Sequence, residues 1–174
     1  MIREVLLHPH PLLTRRAEPA ADPGRVIADL LDTMRSFGHC VGIAAPQIGE
    51  LVRVAVVDCS GHPKAPANHG ELVLVDPVIV AASGSKVGRE GCLSIPELTG
   101  NVRRATHITV EAEGLRVEAE GFEARAIQHE IDHLDGVLFV DRLSALRRQF
   151  LRRDLEAISR GELPEDHLPP AARP

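Results

Sequence analysis

The sequence predicts an α+β domain: antiparallel sheets packed around a central helix that carries the chemistry-bearing motif, with an N-terminal and a C-terminal helix besides. Three observations predict it. HITVEAEGLRVEAEG alternates apolar and charged residues on both sides of Gly114, the pattern of a hairpin with one buried and one wet face. The β-rich runs LVRVAVVD and ELVLVDP also lie ahead of the later helical segments. Strands grouped first and helices after them mark an α+β domain rather than alternating βαβ units.

DPGRVIADLLDTMRSFG reads as the first helix, with Asp22 as cap, Pro23 in the first turn and Val26, Ile27, Leu30, Leu31, Met34 and Phe37 on one apolar face. Leu51 to Asp58 reads as a strand. CSGHPKAPANHG follows as a loop dense in Gly, Pro and Asn. ELVLVDP is a second strand, ended by a proline that cannot donate to a ladder. After the hairpin a helix runs from about Phe122 to Asp135-Gly136, and a last amphipathic helix from about Ser144 to Arg160, stopped at Gly161. These make one domain over residues 1–160, followed at 161–174 by a Pro-rich polar tail with little structure of its own.

At 174 residues, 44% hydrophobic and 26% charged, the chain can bury a full core. With 2% aromatic residues, that core must be built of Val, Leu, Ile and Ala. A net charge of -5 argues against a nucleic-acid surface, which calls for a basic face; LRRQFLRRD reads as the wet side of a helix. No apolar run approaches the ~20 residues of a membrane span, and MIREVLLHPHPLL lacks the pattern of a secretory signal. The expected location is the cytoplasm. Three irregularly spaced cysteines, Cys40, Cys59 and Cys92, are no disulfide framework, which agrees with a reducing compartment.

Three stretches carry chemistry. In QHEIDH, His129 and His133 stand four apart and so share one helix face, able to aim both imidazoles at one metal. Glu130, turned by about 100°, reaches the side of that point as a general base would. Two surface histidines falling four apart by chance would read the same. Downstream, Asp154, Glu156, Glu162 and His167 stand in no recognisable ligand setting, so a third ligand is sought upstream. There EGCLSIPE places Cys92 in a turn-like stretch, where a thiolate is a plausible ligand and Gly91 admits another chain; a buried loop thiol is the plainer reading. GIAAPQIG offers one polar side chain, Gln47, which could equally be a satisfied turn residue.

Taken together, GIAAPQ, EGCLS and QHEIDH resemble, in that order, the three signature motifs of the peptide deformylases, and the resemblance runs from LLHPHPLLTRRAEP to GVLFVDRLS. It implies that Cys92, His129 and His133 bind one divalent metal, typically Fe2+, with Zn2+, Ni2+ or Co2+ also accommodated. It implies that Glu130 moves the proton, and that Gln47 and the backbone N–H of Leu93 meet the oxyanion. Val41, Gly42, Gly88, Gly91, Phe122 and Arg125 would line the substrate pocket. The substrate would be the N-formyl group of nascent peptides at the ribosome, served by a monomer. Asp132 would hold a ligand or pair with Arg104.

The chain departs from the pattern at Cys40, where a glycine is usual, at Thr99, often arginine, and at Gly88 and Arg125, where aliphatic residues are common. A guanidinium one turn before His129 would either snorkel to solvent or face the pocket and favour a polar or acidic side chain beside the formyl group. The alternatives are a family member serving another N-formylated substrate, a non-catalytic metal-binding or ribosome-associated relative, and a zinc endopeptidase.

Overall fold

The structure is a computed structural model that describes residues 1–162. The extended N-terminal segment leads through a 3-10 turn at Pro11–Thr14 into α1 (Gly24–Ser36). Val26, Leu30 and Met34 are buried, as the helical period predicts, and pack with Ile43, Ile48, Val54 and Val56. The expected cap is different: Pro23 occupies the N-cap position without a side-chain bond, and Asp22 is exposed.

Strands β1 (Gly42–Ala44), β2 (Val54–Asp58) and β3 (Glu71–Val75) form one antiparallel sheet in that order. Strand β2 is buried along Val54–Val57, hence its nearly unbroken apolar run. A second antiparallel sheet has the order β4 (Val78–Ser83), β7 (His107–Ala112), β8 (Leu115–Glu120). The β7–β8 pair is the predicted hairpin, in register from His107↔Glu120 to Ala112↔Leu115, and Gly114 supplies a φ of 69° at its turn. The third sheet pairs β5 (Lys86–Cys92) with β6 (Ile95–Arg104). EGCLSIPE is therefore the tip of a hairpin: Cys92 is the last residue of β5, and only Leu93 and Ser94 separate it from β6.

Helix α2 (Gly121–Leu134) lies among the sheets, packed on β1, β2, β7 and β8. Its inner side joins Ala124, Ile127 and Ile131 to Val57, Leu74, Val110 and Val117. Its end is closed by Gly136 at φ 72°, where a Cβ would also come within 2.7 Å of the Thr14 carbonyl oxygen. Arg53 donates to the Leu134 carbonyl (3.2 Å), which also accepts from the Ala17 N–H (2.8 Å), and to Asp135 (2.8 Å), supplying a cation at the negative end of the helix.

Helix α3 (Ala145–Ser159) starts at Ser144, whose hydroxyl accepts from the Arg147 N–H, and packs Leu151 and Ile158 against Leu13, Ile95, Val102 and Phe139. The core is aliphatic, as the composition requires. Among the described residues no helix is long and apolar enough to cross a membrane. Most of the expected tail, His167 included, lies outside them.

Candidate active site

A cavity of about 500 Å³ opens between α2, β1 and the β5–β6 hairpin. Cys92 and His129 line it, His133 lies behind them, and one ligand atom from each of the three lies within 4.8 Å of the others. The helical repeat turns the two imidazoles to one point, and the hairpin tip brings the thiol to it, with Cys92 Sγ 3.2 Å from His133 Nε2. His129 is held from behind: its Nδ1 lies 3.0 Å from Glu90 Oε2, which leaves Nε2 for a ligand. His133 Nδ1 is buried without a hydrogen-bond partner. Burial opposes charge on both Cys92 and His129. Even so, their attraction for each other, with His133 acting on the thiol and Glu90 on the imidazole, holds the thiol well below its ordinary value and the imidazole well above. One thiolate and two imidazoles converging with a side open to a cavity fit a divalent transition metal of borderline softness.

Glu130 lies beside this cluster, 4% exposed, on the wall towards β1. A Cβ on Gly42 would stand 2.7 Å from Glu130 Oε1, so the missing side chain is what admits the carboxylate. Its Oε2 is buried with no hydrogen-bond partner, and burial pushes the group up to about 7. Gln47 comes from the 3-10 turn Ala45–Ile48. Its orientation is set by its two ends: Oε1 accepts from the Ala44 N–H at 2.9 Å, while Nε2 donates to Ser94 Oγ at 3.1 Å and points at Cys92 Sγ, 3.5 Å away. Leu93, in the hairpin turn, lines the same cavity.

Of the expected substrate residues, Val41, Gly42, Gly91, Phe122 and Arg125 line the cavity. Gly88 is not on its wall. Gly91 makes no unusually close approach, since a Cβ there would sit 3.4 Å from Thr99 Cγ2. Cys40 needs no special backbone: among the described non-glycine residues only Asp76 and Glu97 have positive φ. Its thiol donates to the Gly42 carbonyl at 3.1 Å, burial pushes it up to about 12, and it lies outside the group of converging ligand atoms. Arg125 follows neither expected course. It is 9% exposed, and its Nη1 donates to Glu90 Oε1 (2.7 Å) and the Val102 carbonyl (2.8 Å), its Nη2 to the Lys86 carbonyl (2.7 Å). Its charge is neither offered to solvent nor left for a ligand.

Asp132 does pair with Arg104, at 2.5 Å. Three supporting residues escaped sequence reasoning. Glu90 was legible only as part of EGCLS, although its carboxylate also takes Arg104 through Nε and Nη2, each at 2.9 Å. Arg142, which donates to both Asp132 oxygens from the turn Phe139–Arg142, gave no signal beyond being a lone arginine after an apolar run. His62, ring-stacked at 4.0 Å on the pocket residue Phe122, was hidden in the Gly/Pro-rich loop.

Comparison with known proteins agrees with this geometry. Residues 2–149 match the family model described as polypeptide deformylase. A peptide deformylase of Vibrio cholerae serotype O1 is 39% identical over 163 residues, which cover 89% of this chain and 94% of the relative. The crystal structure of a peptide deformylase from Legionella pneumophila superposes with a TM-score of 0.81 at 38% identity, covering 93% of this chain and 98% of that one. The peptide deformylase of Thermus thermophilus gives a TM-score of 0.81 at 37% identity, over 92% and 99% of the two chains. With the motifs in order, the ligand atoms together and the match spanning most of the chain, the protein belongs to the polypeptide deformylase family.

Proposed function

We propose that the cavity takes the formylated N-terminus of a nascent polypeptide and hydrolyses its N-formyl amide, releasing formate and a free amine. One divalent metal would be held by Cys92, His129 and His133, and Fe2+ is our assignment, with Zn2+, Ni2+ and Co2+ compatible with the same donors. Such an ion supplies Lewis acidity, polarising the formyl carbonyl and easing deprotonation of water.

The protein's own groups do the rest. Glu130 accepts a proton from the attacking water at its unpartnered oxygen and later returns it to the nitrogen, because an amide leaves only as an amine. A carboxylate whose burial brings it to about 7 is matched to both transfers near neutral pH. The Gln47 amide, unable to flip while Ala44 holds its oxygen, presents N–H to the developing oxyanion, and the Leu93 N–H serves from the hairpin turn. Phe122, Val41 and the Arg125 methylenes offer an apolar wall suited to methionine next to the formyl group. With the guanidinium bound to Glu90, no cation is left there to favour an acidic side chain next to the formyl group.

The observation that carries this reading is Glu130 Oε2: buried, without a partner, and beside three converging ligands. The test is formate release from a formyl-Met peptide against cleavage of the same peptide unformylated. Formate without peptide cleavage is expected; cleavage of the unformylated peptide would make the protein an endopeptidase instead. We further assign the protein to the cytoplasm, acting as a monomer on chains emerging from the ribosome. Comigration with translating ribosomes only when formylated chains are present would support that setting.

A further inference from the structure

We propose that Arg125 is a positioning residue for the metal ligands and that Gly88 is its seat, the two forming one unit. This rests on the metal-dependent reading above, but concerns how the chain keeps Cys92 and His129 in place.

The guanidinium ties together the three elements that build the site. From α2 it reaches two carbonyls, of Lys86 on β5 and Val102 on β6, and the carboxylate of Glu90. Lys86, Gly88 and Glu90 alternate on one face of β5, and Gly88 is the register partner of Val102. A Cβ at position 88 would stand 2.9 Å from Arg125 Cζ and Nη2 and 3.0 Å from Nε, so any side chain there would displace the guanidinium along its whole width.

Two consequences bear on the metal. Strand β5 ends in Cys92, so fixing its carbonyls against α2 fixes the separation of the thiol from the two histidines. In addition, Arg125 holds Glu90 Oε1 while Glu90 Oε2 takes His129 Nδ1, so the arginine orients the carboxylate that orients the ligand. Lysine would substitute only in part, because a point cation keeps the charge beside Glu90 but does not reproduce the planar fork that also takes two strand carbonyls.

The experiment measures how fast a chelator strips cobalt(II) from the loaded protein, with the thermal midpoint and the thiolate-to-cobalt absorption recorded in parallel. Arg125→Ile should lower the midpoint and speed release about 10- to 100-fold, the usual range for losing a group that supports a ligand. Gly88→Ile with Arg125→Ile fills the vacated space with an apolar pair. It should recover most of the midpoint while release stays fast and the absorption stays shifted. Wild-type release from a folded double variant would overturn the proposal and leave Arg125 a packing residue. Should that variant not fold, Arg125→Lys against Arg125→Gln carries the comparison. Release about 10-fold faster for Gln supports the role, and equal wild-type rates in both overturn it. A protein that holds cobalt with these differences yet releases no formate would break the functional reading alone.

Discussion

Glu90 and Glu130 are both buried glutamates beside the same histidines, and they have opposite surroundings. Glu90, on the β5 side of α2, takes donors at both oxygens: Arg104 at each, Arg125 at one and His129 at the other. Although burial pushes its acid strength down, Arg104 and His129 outweigh that and hold the group far below the carboxylate range. Glu130, on the β1 side, has a buried oxygen with no partner, and burial carries it up to about 7. One carboxylate is tied into the fold, and the other keeps an oxygen unpartnered, as the proton exchange proposed for it requires. Saturation of hydrogen bonds separates the two roles, since both groups have the same chemistry and nearly the same burial.

The contrast can be broken from either side. Glu130→Gln should lower kcat by roughly 10²–10⁴-fold with metal retained, the range for a positioned acid-base group. Stability should hold or rise, because no hydrogen bond at Oε2 is lost. A comparable loss of stability would show Glu130 to be structural like its counterpart. Glu90→Gln should do the reverse and destabilise by about 3–5 kcal/mol in denaturant unfolding, because it strips buried guanidinium groups of their counter-charge. Unchanged stability there would mean Asp132 alone suffices for Arg104.

A gentler perturbation moves Glu130 without altering it. Gly42→Ala places a Cβ 2.7 Å from Oε1, and the flexible carboxylate is what yields. About 10²-fold loss of activity, with a thermal midpoint close to wild type, is expected from such a misplacement. Wild-type rates would show that the position of Oε1 is not critical.

The smallest effect belongs to the cluster of Arg3, Arg25, Asp29 and Glu50 near the start of the chain. Arg25→Ala should change stability by less than about 1 kcal/mol, and less still in high salt, as for an exposed pair. Hydrogen bonds from the Met1 amine and Arg3 hold Asp29 below its ordinary value. A depressed carboxylate stabilises above its unfolded pKa, about 4, and loses that contribution as pH falls through the folded value. The difference in midpoint between wild type and Asp29→Asn should therefore shrink on acidification below about 4. A difference that persists there would point to packing instead of charge.

Much of the fold was legible because periodicity is local. The 3.6-residue face of α1, the Gly114 hairpin and the i, i+4 histidines of α2 each need only neighbours in sequence to be recognised. Errors came where an end or a short strand depends on what packs against it: Pro23 replaced Asp22 as cap, and β1 and β4 to β6 carry no clean alternation. Strand β4 is mostly exposed and small, and β6 is interrupted by Gly100, whose Cβ would strike Leu143 at 2.7 Å.

By itself the sequence determined the three motifs, their order and the residue types that could bind a metal, since those are properties of spacing. It also determined that the core would be aliphatic. Only the tertiary structure decided which oxygen is saturated and which is left alone. It also decided that Gly42 serves Glu130, and that Arg125 turns to strand carbonyls and Glu90 instead of to substrate or solvent. The physical reason is that a buried charge takes the state its partners dictate, and those partners come from β5 and β6, distant in sequence from the helix they serve, and from the turn at Phe139–Arg142 just beyond its end.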